Sequence, residues 1–524
     1  MKLSSKLQLK NKYPRKLLLL VFTITFTIFL FSSDGHRYSP DEYWAHEQTI
    51  RMVTLEPHPL YVDGESIKLF EQPEGYALWS SGSPCYNYVI CSPASVVNSI
   101  LQTPIMFLNN HFNIITEDTV EFTIDDFNHQ HYVFWRNSQN VDFTFLELFY
   151  GPIFGALSVT AFFLISNVLN YRLKTSLTLA LLFALSTPVW AYSQTSLTVV
   201  PTLFFVLFSI YFFTKYQKTQ SSKFLIGCGL SLGFSYLIRQ DTAIIILPLM
   251  IYFLITLLKH KQKIKKFFFF FVTLTPFYFI ITVIEYLRFG ASVGLNTTVS
   301  DVSSFSRFNS DGLNLATGII GLLFSPGVGL FIFAPILLTF FFTFPDFYKK
   351  YKSYTLLFIG FITLSLIYFG SIEFWHGLVS WSARYLLLVT PFFLLPLGIS
   401  LELRKNSFLR ILLIILGSLG FFFNLVYILQ DVSWFVWGSP ARTGLFSLGD
   451  VQTALYIHDA VIWTFEYSQL THSIITAFSN LQLDLFFVKL FGAPIFIITL
   501  SVLLVVQTLI LKKLCLRNEN CLKQ

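Results

Sequence analysis

The chain has 524 residues, 54% of them hydrophobic and 18% aromatic, with 61 Phe and only 12% charged. Soluble globular proteins carry roughly a quarter charged residues, so that class is excluded, and recurring apolar runs near the ~20 residues that cross a bilayer indicate a polytopic helical membrane protein. The net charge of +7 does not point to nucleic acid, because 26 of the 36 Lys and Arg sit in seven short clusters between apolar runs.

Those clusters lie at 2–16, 172–174, 215–223, 259–266, 349–352, 404–410 and 512–523. Their alternation with long acidic connections follows the positive-inside rule. Placing every cluster in the cytoplasm predicts about twelve transmembrane helices, with both termini cytoplasmic, in a multi-pass protein of the cell membrane. The expected spans are 17–32, 146–168, 176–192, 197–214, 223–238, 242–258, 267–286, 327–344, 354–371, 385–402, 408–429 and 492–511. The third and fourth are short and also read as a re-entrant pair. Residues 1–16 form a cytoplasmic N-terminus. The apolar run 17–32 that follows reads as a span, because it is long for a signal peptide and lacks a small-residue cleavage pattern.

Residues 33–145 are then a large extracytoplasmic loop of mixed α/β character. Within it "PDEYWAHEQTIRMV" opens with Pro40, suited to a first helical turn. Asp41 and Glu42 follow, where negative charge complements the helix dipole. Tyr43, Ala45, Ile50 and Met52 would make the face of an interfacial helix. "PASVVNSILQTPIMFL" at 93–108 reads as a second amphipathic helix, and "LYVDGESIKLF" and "EDTVEFTID…HYVFW" alternate like strands. Cys85 and Cys91 either close a small disulfide loop on the oxidising side or stay free. A multi-span core, 146–429, comes next. The connection 287–326 inside it carries the sequon Asn296-Thr-Thr, and "GVGL" at 327–330 reads as a break before the eighth span. Residues 430–490 form another extracytoplasmic loop, and 491–524 the last span with its cytoplasmic tail.

Charges at the outer turns suggest chemistry there. "LIRQDTA" places Arg239 and Asp241 between two spans, where an unused charge is costly. "GSIEFWHGLVSWSARYLLL" places Glu373, Trp375, His376, Trp381, Arg384 and Tyr385 at another turn, and Glu285 and Arg288 close the seventh span. Each has a plainer reading: helix-start acids, structural Arg–Asp pairs and an interfacial aromatic belt. Together they offer a general base, arginines whose planar donor fork suits phosphate and aromatic platforms at headgroup depth. Sugar transfer from a polyprenyl phosphate needs such a set.

Four stretches carry a resemblance: "SPDEYWAHEQTIRM", "SYLIRQDTAIIILPL", "GIIGLLFSPGVGLFIFAPILL" and "FWHGLVSWSARYLLLVTPFFLLPLG". Over roughly 15–430 the chain resembles GT-C superfamily membrane glycosyltransferases, in the branch of protein O-mannosyltransferases and aminoarabinose transferases. The resemblance implies an inverting transferase using a polyprenyl-phosphate-linked sugar, with Asp41 as base and Glu42 assisting or positioning. It also implies Arg239, His376 and Arg384 at the donor phosphate; Trp375 and Tyr385, among the outer-turn aromatics, are further substrate-binding candidates. The acceptor would be a glycan, a lipid or a protein. No cofactor is assigned; some members need a divalent cation, which Asp41, Glu42 and Glu47 would be placed to bind, but their spacing is not that of a defined metal site. Two other readings stand beside it: a non-catalytic scaffold subunit of an envelope complex, and a transporter of lipid-linked cargo. Charge-free span centres and the lack of similarity between halves weigh against transport.

Overall fold

The computed structural model describes residues 15–37, 40–55, 61–62, 83–84, 90–91, 94–112, 114, 119–125, 131–137, 144–257, 263–289, 313–372, 375–377, 380–403, 407–430, 461–479 and 483–517. It is mostly helical. Helices α1 (Arg15–Phe31), α2 (Pro40–Val53), α3 (Val96–Phe112) and α4 (Phe145–Val168) come first. The core continues with α5 (Leu173–Leu185), α6 (Val189–Tyr192), α7 (Val199–Thr219), α8 (Ser222–Ile238), α9 (Ala243–Leu257) and α10 (Lys263–Phe289). Then follow α11 (Leu313–Phe324), α12 (Leu330–Phe333), α13 (Thr339–Gly370), α14 (Thr390–Leu394), α15 (Leu397–Leu403) and α16 (Ser407–Ile428). The chain closes with α17 (Gln469–Ser479), α18 (Phe486–Phe491) and α19 (Ala493–Arg517).

Among the described residues, seven helices are long and apolar enough to cross a membrane. The other expected spans are shorter or broken, and the sequence supplies the reasons. Pro188 separates the 13-residue α5 from α6. The expected span 385–402 is a 3-10 turn (Arg384–Leu386) followed by α14 and α15, with Pro391 and Pro396 in the run. The expected span 327–344 is corrected. After Pro326, Gly327 and Gly329 the chain makes only α12 and a 3-10 turn, Pro335–Leu338, before α13. A further apolar helix, α11, lies in what was read as loop. The 32-residue α13 takes up the rest of the eighth expected span and the ninth. Non-helical backbone at Tyr351 (φ −129, ψ 47), inside the basic "KKYK", divides it.

Small residues let the helices approach closely, as hydrocarbon supplies no hydrophobic force between them. A Cβ on Gly229 or Gly233 would meet Thr273 at 2.0 Å or Phe277 at 2.1 Å on α10. Helices α4 and α7 form the bundle centre, with 67% of each span buried, whereas none of the α19 span is buried. Gln507 on α19 donates to Thr27 on α1 (2.9 Å), holding this outlying helix to the bundle. At the end of α4 that leads into α5, Arg172 pairs with Glu402 (3.1 Å) and the Tyr171 hydroxyl donates to the Leu395 carbonyl (2.8 Å).

The opposite end of α4 carries the elements of region 33–145. Helices α2 and α3 pack on one another, and α3 packs on α4. An antiparallel hairpin pairs β4 (Thr119–Asp125) with β5 (His131–Asn137), in register Thr119 to Asn137. Three two-residue strands, β1 (Tyr61–Val62), β2 (Ser83–Pro84) and β3 (Ile90–Cys91), make a second sheet in the order β1-β3-β2. The face expected of α2 differs from the one observed. Ala45 is buried, but alongside Glu42, His46, Gln48 and Thr49, while Ile50 is exposed. Polar contacts with α3 thus hold this helix. The sulfur of Cys91, Cys85, Asn296 and the side chains of Asp41, Tyr43 and Glu47 lie outside the described residues.

Candidate functional site

At this end of the bundle, two carboxylates from distant elements converge on one serine. Glu42, in the first turn of α2, is 1% exposed and accepts a hydrogen bond from the Ser196 N–H (2.9 Å). Glu147, fully buried at the start of α4, accepts from the Ser196 hydroxyl (2.9 Å). The Ser196 carbonyl accepts from Asn98 (3.3 Å) and Gln102 (3.2 Å) of α3. Tyr150 donates to Asn98 (2.7 Å) and Thr49 to Gln102 (2.9 Å). Buried polar groups are tolerable when their partners are supplied, and here four elements supply them. The 193–196 turn fits because residue 151 is glycine: a Cβ there would lie 2.5 Å from the Ser193 carbonyl and 2.6 Å from that of Thr195.

The arginines come from two other turns. Arg239 follows α8 and donates through Nε to Asp241 (3.1 and 3.2 Å), with a further bond from its terminal nitrogen. Burial pulls the Arg239 guanidinium down, but the Asp241 carboxylate outweighs burial and raises it above the ordinary arginine value. Arg384 opens the 3-10 turn after the left-handed Ser382 (φ +62). Gly377 (φ +65) leaves room for it, since a Cβ there would meet Arg384 Nε at 2.8 Å. The guanidinium lies 5.2 Å from the centre of the Tyr385 ring, and that ring stacks on Phe369 at 4.9 Å. Trp375 and His376 are buried. The Trp375 ring sits against Gly321 and 5.7 Å from the Trp463 ring.

Two tyrosines, Tyr192 buried and Tyr427 partly buried, lie near these groups. Tyr192, on the single turn α6, is buried and lies within electrostatic range of Arg384, Arg239 and Tyr385. Tyr427, at the end of α16, lies within electrostatic range of Tyr192, Asp34 and Glu42. Trp381 stacks on Tyr427 (4.2 Å) and donates to Asn424 (3.2 Å). Arg239, Arg384 and Tyr385 therefore share a neighbourhood with Tyr192, and Glu42 joins it through Tyr427. Asp41 is in the same helical turn as Glu42. Glu285 belongs to α10, and Glu373 and the side chain of Arg288 lie outside the described residues.

Beside these groups, Asp484 is 3% exposed and hydrogen bonds His36 (3.1 Å) and Lys489. Burial pushes the Asp484 carboxyl up, but these two contacts prevail and hold it below the usual carboxylate value. Sequence reasoning missed Glu147, Ser196, Tyr192, Tyr427 and Asp484. A lone acid inside the apolar "FLELF" was the one available signal, for Glu147. No group of three or more His, Cys, Asp or Glu among the described residues is arranged to hold a metal ion.

Fold and site together define a polytopic helical membrane protein with carboxylates, arginines and tyrosines gathered at one end of its bundle. Residues 148–286, from α4 to α10, match the model of the dolichyl-phosphate-mannose-protein mannosyltransferase family. This match supports the resemblance to GT-C superfamily membrane glycosyltransferases. No curated protein sequence matches the chain significantly. Among solved structures it is similar to ArnT from Cupriavidus metallidurans bound to undecaprenyl phosphate, with 11% identity and a TM-score of 0.45 over 88% of this chain and 74% of that one. The apo form of the same protein gives 12% identity and a TM-score of 0.44, with the same coverage of each chain.

Proposed function

We propose that this protein is an inverting membrane glycosyltransferase that moves a sugar from a polyprenyl-phosphate-linked donor to an acceptor on the extracytoplasmic side. The observation that carries this reading is that Arg239 and Arg384 lie within electrostatic range of the buried Tyr192, and Glu42 within range of Tyr427, which neighbours Tyr192. The donor class follows the name of the matched family, whose dolichyl-phosphate-mannose is a lipid-linked sugar phosphate.

Asp41 is the general base in this scheme. It takes the proton from the acceptor hydroxyl as that oxygen attacks the anomeric carbon from the face opposite the phosphate. The bond from the anomeric carbon to the phosphate oxygen breaks, the configuration inverts, and the polyprenyl phosphate leaves with the bonding electrons. Arg384 and Arg239 stabilise its growing negative charge, Arg384 through a guanidinium backed by Tyr385. Glu42, pinned by the Ser196 N–H, orients the turn that carries Asp41. His376 and Trp375 line the donor side.

Transfer from a polyprenyl-phosphate-linked sugar by the purified protein in lipid vesicles tests this scheme. Asp41→Asn is expected to lower turnover by roughly 10²–10⁴-fold, the usual contribution of a positioned base, with donor binding retained. Full turnover by that variant would remove Asp41 from the mechanism.

A further inference from the structure

Residues 32–36 of the connection between α1 and α2 are held by several hydrogen bonds. The Ser32 hydroxyl accepts from Trp190 (2.9 Å) and Gln194 (3.2 Å). The Ser33 carbonyl accepts from the Phe486 N–H (3.0 Å), and the Gly35 carbonyl from the Thr144 N–H (2.9 Å). The His36 N–H donates to the Asp34 carboxylate (2.9 Å). Gly35, at φ +80, makes the left-handed step that the turn requires.

The His36 ring is bonded to Asp484 (3.1 Å), 448 residues away along the chain, and both side chains are buried. Asp484 is itself fixed: its N–H donates to the Leu429 carbonyl (3.0 Å), and Lys489 bonds the same carboxylate oxygen as His36. The segment before α18 is thus anchored to the end of α16 and presents one carboxylate to the connection. Five residues beyond His36 the chain reaches Asp41. A buried ionic pair is weak evidence for stability, since desolvation offsets its attraction, whereas breaking one partner strands a charge.

We propose that His36 and Asp484 are a positioning pair, which locks the α1–α2 connection against the C-terminal segment and so holds the first turn of α2 for catalysis. The proposal rests on the transferase reading and adds a role for residues near the C-terminus that touch no substrate. A pair that served only as a staple would affect overall stability and leave turnover per folded molecule unchanged.

The test uses the full chain in lipid vesicles, with wild type, Asp484→Asn, His36→Ala and His36→Gln. Transfer kinetics from a polyprenyl-phosphate-linked sugar are measured together with amide hydrogen exchange across 33–49. Asp484→Asn and His36→Ala should lower kcat about 10- to 100-fold, the scale of a 1 Å misplacement, with KM for the donor within about twofold. Exchange in 33–49 should rise while that of α4 and α7 stays as in wild type. His36→Gln keeps an N–H donor and should recover most of the turnover; it also carries the test should Asp484→Asn fail to fold. Unchanged kcat, or a loss of kcat with no change of exchange in 33–49, overturns the proposal. If wild type itself transfers no sugar, the transferase reading falls, and the exchange data alone decide whether the pair fixes the connection.

Discussion

Ser382 is a non-glycine residue at φ +62, two positions before Arg384, and its buried hydroxyl has no hydrogen-bond partner among the described residues. A left-handed conformation costs an L-residue about 1–2 kcal/mol, and glycine is spared most of that. Ser382→Gly should therefore stabilise the protein by roughly 1 kcal/mol, the relief of strain exceeding the added chain entropy. Thermal unfolding in detergent would show it, and a lower melting temperature would mean that this backbone is not strained. Legibility differed sharply between residues. Arg239 and Arg384 stood out in the sequence because a charge beside an apolar span is rare and costly. Ser196 and Tyr192 gave no such signal, since Ser and Tyr occur freely in and beside spans. Their importance comes from the partners they meet: Ser196 receives contacts from α2, α3 and α4.

At the level of elements, the site depends on one close crossing. The 193–196 turn lies against Gly151 of α4, so Gly151→Ala would drive a methyl group into two backbone carbonyls. Overpacking of this kind costs about 1–3 kcal/mol. The displaced turn would also move Ser196 away from Glu42 and Glu147, so sugar transfer should fall further than the amount of folded protein. Comparing specific activity with the yield of monodisperse protein separates the two effects; equal losses would mean that the turn only stabilises. Most elements were foreseen from their apolar runs, and the departures have local causes. Pro188, Pro391 and Pro396 shorten helices that hydropathy alone extends, because a proline removes a backbone donor. Helix α2 was expected to show an apolar face. It instead buries Glu42, Gln48 and Thr49, because the Ser196 N–H meets Glu42 and α3 supplies amide and hydroxyl partners to the other two, which the α2 sequence alone does not reveal.

For the whole molecule, the clusters of Lys and Arg predict an even number of crossings with both termini in the cytoplasm. Tags at Met1 and Gln524 should be cleaved by protease in inside-out membrane vesicles and protected in right-side-out ones. Cleavage of one tag but not the other from the outside would break the even count. The sequence by itself determined the class of this protein, a multi-span helical membrane protein, because hydrocarbon excludes charge and demands long apolar helices. It also marked Asp41, Glu42 and the two arginines as candidates. Only the tertiary structure decided which polar groups meet. Glu147 reaches Ser196 across 49 residues, Glu42 reaches it across 154, and His36 reaches Asp484 across 448. Helix packing sets such pairings, and contacts so distant along the chain leave no pattern in local composition or periodicity.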